Sequence, residues 1–200
     1  SLTMHNNVIA ENRTTASGYG GGFHDNDTGD DDTFSIKYNA FVRNTSYDKG
    51  AAIVYKRRTA NAPLQYNLFY KNVIQSSSTT GPISNTVYIS NNTTPIINYN
   101  NILNNSTSYF IYNENTYSGT SLNAENNYWG TTTAAEIQSK IYDFSDDGNL
   151  STVDYEPYAS SLNTTAPISP PTNVLKVASG SDVVLTWTAN SESDVAGYKI

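Results

Sequence analysis

Met4-His5-Asn6-Asn7-Val8-Ile9-Ala10-Glu11-Asn12 is the stretch on which the fold turns, because its pattern returns at Ile36 to Asn44, Leu64 to Asn72 and Ile97 to Asn105. When the copies are aligned, the first position holds Met4, Ile36, Leu64 and Ile97, and the sixth holds Ile9, Phe41, Phe69 and Ile102. The fourth is always asparagine (Asn7, Asn39, Asn67, Asn100), and so is the ninth (Asn12, Asn44, Asn72, Asn105). Successive copies are 32, 28 and 33 residues apart, a period that marks a solenoid built from stacked coils.

Stacking dictates what each position must be. Two apolar positions separated by a polar turn both face inward, and each packs on its counterpart in the coils above and below. Asparagine in the turn tolerates left-handed backbone, and its amide both donates and accepts. Ladders of such amides stabilise strands stacked in register at about 4.8 Å.

Between the boxes lie second-strand candidates: Gly18-Tyr19-Gly20-Gly21-Gly22-Phe23, Lys49 to Tyr55, Thr86 to Ile89 and Tyr109 to Tyr112. Asn126-Asn127-Tyr128-Trp129-Gly130 is a decayed fifth copy. Thr133-Ala134-Ala135-Glu136 reads as a capping box, which predicts a short helix over 134–142 with Ile137 and Ile141 on one face. Such a helix closes the stack, whose open end would expose strand edges and core. Trp129 reads as packing in this terminal coil, with a sugar-stacking platform as the alternative.

The box resembles the repeat of the right-handed parallel β-helix, or pectin-lyase-like, superfamily, over residues 1–159. The ending Val153-Asp154-Tyr155-Glu156-Pro157-Tyr158 resembles that fold's C-terminal cap in microbial proteins. The resemblance implies an all-β, right-handed parallel β-helix with a short capping helix. It leaves the chemistry open, since the same fold carries lyases, hydrolases, epimerases and adhesins. Residues 160–171 are rich in Ser, Asn, Thr, Ala and Pro, as an extended linker is. Residues 172–200, with Trp187 in a strand and a Gly197-Tyr198 opening, resemble the start of a fibronectin type III domain, an incomplete β-sandwich segment. The chain opens inside a repeat and ends inside a strand, so we expect a piece of a longer polypeptide carrying further domains.

Composition narrows the partners. Charged residues are only 14% of the chain, the net charge is −7, and the one basic run is Lys56-Arg57-Arg58. Nucleic acid and anionic membrane surfaces need clustered Lys and Arg, so neither is expected as a partner. No apolar run is long enough to insert in a membrane, and the absence of cysteine removes disulfide and thiol chemistry.

Three groups remain as candidate sites. Tyr38, Tyr66 and Tyr99 each precede a ladder asparagine, so stacking brings them into one column, either a surface for flat sugar faces or a device that stabilises the turn. Arg43 and Lys71 share the eighth position on consecutive coils and would serve a uronate ligand, with Glu11 and Asn104 in the equivalent places. Asp25, Asp27, Asp30, Asp31 and Asp32 form an acidic loop that either holds Ca²⁺ or is simply solvated; its spacing departs from the helix-loop calcium pattern. His5 and His24 have no nucleophile at a recognisable spacing. The expected function is an extracellular or cell-surface stalk or binding module for carbohydrate or another surface polymer. The alternative is a polysaccharide lyase or glycoside hydrolase with part of its active site in further coils.

Overall fold

The computed structural model of the chain describes residues 2–15, 18–25, 34–56, 62–75, 84–90, 92–116, 119–190 and 195–199. The chain winds into an all-β parallel solenoid of about four turns with one short helix. Successive turns stack their strands into three main parallel sheets, of three, four and five strands. The first contains Leu2–His5, Phe34–Lys37 and Leu64–Gln65; the second contains Val8–Ala10, Ala40–Val42, Leu68–Tyr70 and Asn101–Leu103. The third contains Phe23–Asp25, Ile53–Tyr55, Asn85–Ile89, Tyr109–Asn113 and Ile141–Tyr142.

The register follows the repeat. Met4 pairs with Ile36 and Ile36 with Leu64, while Ile9, Phe41, Phe69 and Ile102 pair in succession. Both columns face inward. Phe41 and Phe69 are stacked 5.3 Å apart at 7°, Phe110 sets its edge on Phe69, and Trp129 sets its edge on Phe110, so one aromatic stripe runs down the core. Each ring pair contributes about 1 kcal/mol beyond its burial.

The asparagines form two ladders. The Asn39 main-chain N–H and Nδ2 both donate to Asn67 Oδ1, at 2.9 and 3.1 Å, and Asn67 donates in the same way to Asn100 Oδ1. Asn100 continues to Asn127, which makes the decayed fifth copy a full member of the fourth-position ladder. The ninth-position ladder runs Asn12, Asn44, Asn72, Asn105. The side chains of Asn39, Asn44, Asn67, Asn72, Asn100 and Asn127 are buried, and each gives its spare Nδ2 hydrogen to a main-chain carbonyl, such as Ile36 O from Asn67. The unpaired polar atoms that burial would penalise are thereby satisfied.

The closing segment departs from the capping-box expectation. The helix spans Ala134–Gln138, and Thr133 makes no side-chain cap bond; the Thr131 hydroxyl bonds Glu136 instead. The helix is short because Ile141–Tyr142 leave it to pair with Ile111–Tyr112, extending the third sheet. Ile137 and Ile141 are both buried, one from the helix and one from a strand.

Residues 160–171 turn tightly at Asn163 to Ala166 and dock on the outer face of the second sheet. Asn163 accepts from Asn101 Nδ2 at 3.0 Å and donates its main-chain N–H to Asn101 Oδ1 at 2.8 Å, on the fourth coil. Ile168, Ser169, Pro170 and Pro171 line a cavity with Val8, Ala10, Ala40 and Val42, on the first and second coils. The segment thus runs back along the stack, beside the buried outer residues Ala40, Val42, Leu68 and Tyr70. It delivers the chain to a hairpin of Thr172–Ser179 and Asp182–Thr188, which, among the described residues, pair only with each other.

Candidate binding surface

The residue before each fourth-position asparagine turns the chain between the first and second sheets, and it does so in the left-handed region. Asn6, Tyr38, Tyr66, Tyr99 and Asn126 have φ of 58°, 58°, 55°, 62° and 58°. Left-handed backbone is costly for a bulky residue, so three tyrosines there need compensation. Stacking supplies it. Tyr38 and Tyr66 lie 5.3 Å apart at 15°, and Tyr66 and Tyr99 lie 5.1 Å apart at 6°. His5 meets Tyr38 edge-on at 6.2 Å.

Because the rings cover one another, their faces are largely spent. What the column offers is a row of ring edges, with phenol hydroxyls that make no hydrogen bond among the described residues. That differs from a platform for flat sugar faces: a ligand would lie along the row rather than insert between the rings.

The eighth position is left-handed as well, at Glu11, Arg43, Lys71 and Asn104, with φ of 59°, 51°, 53° and 52°. Arg43 and Lys71 do follow one another on the outer face. Arg43, however, is already engaged: its Nη2 and Nε donate to Glu11 Oε1 at 2.6 and 3.0 Å. Both partners are exposed, a setting in which such a pair contributes little. The Lys71 ammonium lies 5.1 Å from the Tyr70 ring centroid.

Of the acidic loop, only Asp25 falls among the described residues, buried at the end of a third-sheet strand. Asp27, Asp30, Asp31 and Asp32 lie outside them. Among the described residues, no group of three or more His, Asp or Glu is placed to hold a metal ion. The Asn-x-Ser/Thr sites at Asn12, Asn44 and Asn163 all have their amides tied into the fold.

A second aromatic column, not singled out from the sequence, lies on the outer face of the third sheet. Tyr88 and Tyr112 stack 5.6 Å apart at 8°, and Tyr112 and Tyr142 stack 4.7 Å apart at 16°, with Tyr109 edge-on to Tyr142. Lys49 Nζ lies 4.4 Å over the Tyr88 ring, donates to its hydroxyl at 3.1 Å and approaches Glu114 at 3.6 Å; the Tyr88 hydroxyl donates to Glu114. Lys56 Nζ lies 5.3 Å from the Tyr19 ring centroid. Burial, reinforced by acidic or phenolic neighbours, pushes the phenols of Tyr109, Tyr112 and Tyr142 above their usual range. Burial and then Lys56 lower His24, against an opposing pull from Asp25. The sequence signal was the alternation of inward Val87, Ile89 and Ile111 with outward Tyr88 and Tyr112. Unequal coil lengths kept those tyrosines from aligning with the box.

No family model matches the chain, and neither a curated protein nor a solved structure does.

Proposed function

We propose that this chain is an extracellular β-helix stalk or binding module that holds carbohydrate or another surface polymer along its axis, within a larger secreted or cell-surface microbial protein. The observation that carries the reading is the column of Tyr38, Tyr66 and Tyr99, whose rings follow one another at about the coil spacing with their hydroxyls uncommitted. An extended polymer presents hydroxyls and apolar edges at regular intervals, and a straight row of phenols repeats the same chemistry. The second column supplies a parallel row, bordered by Lys49 and Glu114.

In this reading, residues 1–159 are a right-handed β-helix of the pectin-lyase-like superfamily and 172–200 begin a fibronectin type III domain. The hairpin supports the second assignment. It leaves Val174, Leu175, Val177, Val183 and Val184 exposed, as strands of a β-sandwich would without their partner sheet.

Retention on a panel of immobilised neutral and acidic polysaccharides, with analysis of the eluate for shortened chains, tests the proposal. Retention without cleavage is expected. Failure to bind any of the polymers would sink it, and shortened products would replace it with a degrading enzyme.

A further inference from the structure

The two asparagine ladders end differently, and the difference leaves a cavity. At the fourth position Asn100 hands its main-chain N–H and Nδ2 to Asn127 Oδ1 at 2.8 and 2.9 Å. At the ninth position Asn72 hands the same two donors to Asn105 Oδ1, both at 2.9 Å. Asn105 has no successor. In the fifth coil the left-handed residue comes one position early, at Gly130 with φ 76°. The residue after it is Thr131, whose hydroxyl is engaged by Glu136 and by the Thr133 N–H. Asn105 Nδ2 keeps its bond to Phe69 O at 2.9 Å, but its main-chain N–H has no acceptor among the described residues.

A cavity of about 230 Å³ lies there, lined by Ile102, Asn105, Phe110, Trp129, Gly130 and Lys140, among others. Two features mark it as a place for an acceptor. The Asn105 donors that would serve the next ladder oxygen border it. Lys140 is exposed and makes no ion pair among the described residues. No carboxylate lines the cavity, and Ile102, Phe110 and Trp129 give it apolar walls.

We infer that this cavity binds a small monocarboxylate carrying a short apolar or single-ring body, its carboxylate oxygen taking the place of the missing ladder amide. A carboxylate is planar and close in shape to the primary amide, so it fits donors arranged for Asn Oδ1. Lys140 selects it over a neutral amide by a charge-assisted interaction. Ile102, Phe110 and Trp129 hold the body. The site lies apart from the tyrosine columns and does not depend on their function.

Benzoate is a suitable probe, with benzamide as its neutral counterpart, and the readout is the indole N–H resonances of the ¹⁵N-labelled full chain. Only two tryptophans exist, so Trp187 in the hairpin is an internal control. The expected result is a saturable shift of the Trp129 indole with benzoate. Benzamide, and benzoate with the exposed-site variant Lys140→Gln, should each bind about tenfold more weakly, with Trp187 unmoved. The inference is overturned if the Trp129 resonance stays put, if both indoles drift together without saturation, or if benzoate and benzamide bind alike and Lys140→Gln changes nothing.

Discussion

At the scale of single residues, asparagine does what no other side chain can in this turn. Asn67 is fully buried, accepts two hydrogen bonds from Asn39, and gives its own donors to Asn100 and Ile36. Asn67→Ala strands those partners without water, and should cost about 3 kcal/mol in chemical denaturation. Asn67→Asp keeps the shape but loses the donors and buries a charge beside Asn100 Oδ1. Its folded-state pKa must then rise above the unfolded value of about 3.9. The sign follows: the neutral acid is favoured by folding, so the variant's deficit is largest above the raised pKa and shrinks as pH falls toward the unfolded value. A deficit that grows on acidification would contradict this account. Tyr66, one residue earlier, is held differently, since its left-handed backbone is offset by rings above and below.

At the scale of elements, the coil corners decide how closely turns approach. Gly50 enters its third-sheet strand with φ 63°, and a Cβ there would meet Ile53 O at 2.4 Å. Gly50→Ala combines left-handed strain with a clash against backbone, and a thermal melt should show a loss of more than about 2 kcal/mol. An unchanged melt would mean the corner is softer than its geometry implies. The box made the first two sheets legible from sequence, because their strands lie within it at fixed spacing. The third sheet was legible only as strand candidates. Its tyrosines sit at unequal intervals, so Tyr88, Tyr112 and Tyr142 could be joined into a column only once the register was known. The capping box located the start of the helix at Ala134 but not its end, because the open edge of Tyr109–Asn113 competes for Ile141 and Tyr142 and wins.

At the scale of the whole molecule, the composition of residues 160–171 reads as an extended linker and carries no signal for docking. That signal lay in the second sheet, where the outward positions Ala40, Val42, Leu68 and Tyr70 are apolar and need cover. A chain ending at residue 159 should therefore be less stable than one ending at residue 171, by about 2–4 kcal/mol, through exposure of that face; equal stability would show that the docked segment contributes nothing. The central claim is that conserving coil shape and binding a polymer fall to different, adjacent residues. The most direct test measures Tyr66→Asn and Asn67→Ala together, for stability and for retention on whichever polysaccharide holds the unaltered chain. Asparagine already occupies the Tyr66 position in the first and fifth coils, at Asn6 and Asn126, so Tyr66→Asn should fold with a loss of about 1–2 kcal/mol of stacking. The account predicts that folded Tyr66→Asn loses retention, while Asn67→Ala, assayed below its melting point, keeps it. Full retention by Tyr66→Asn would contradict it.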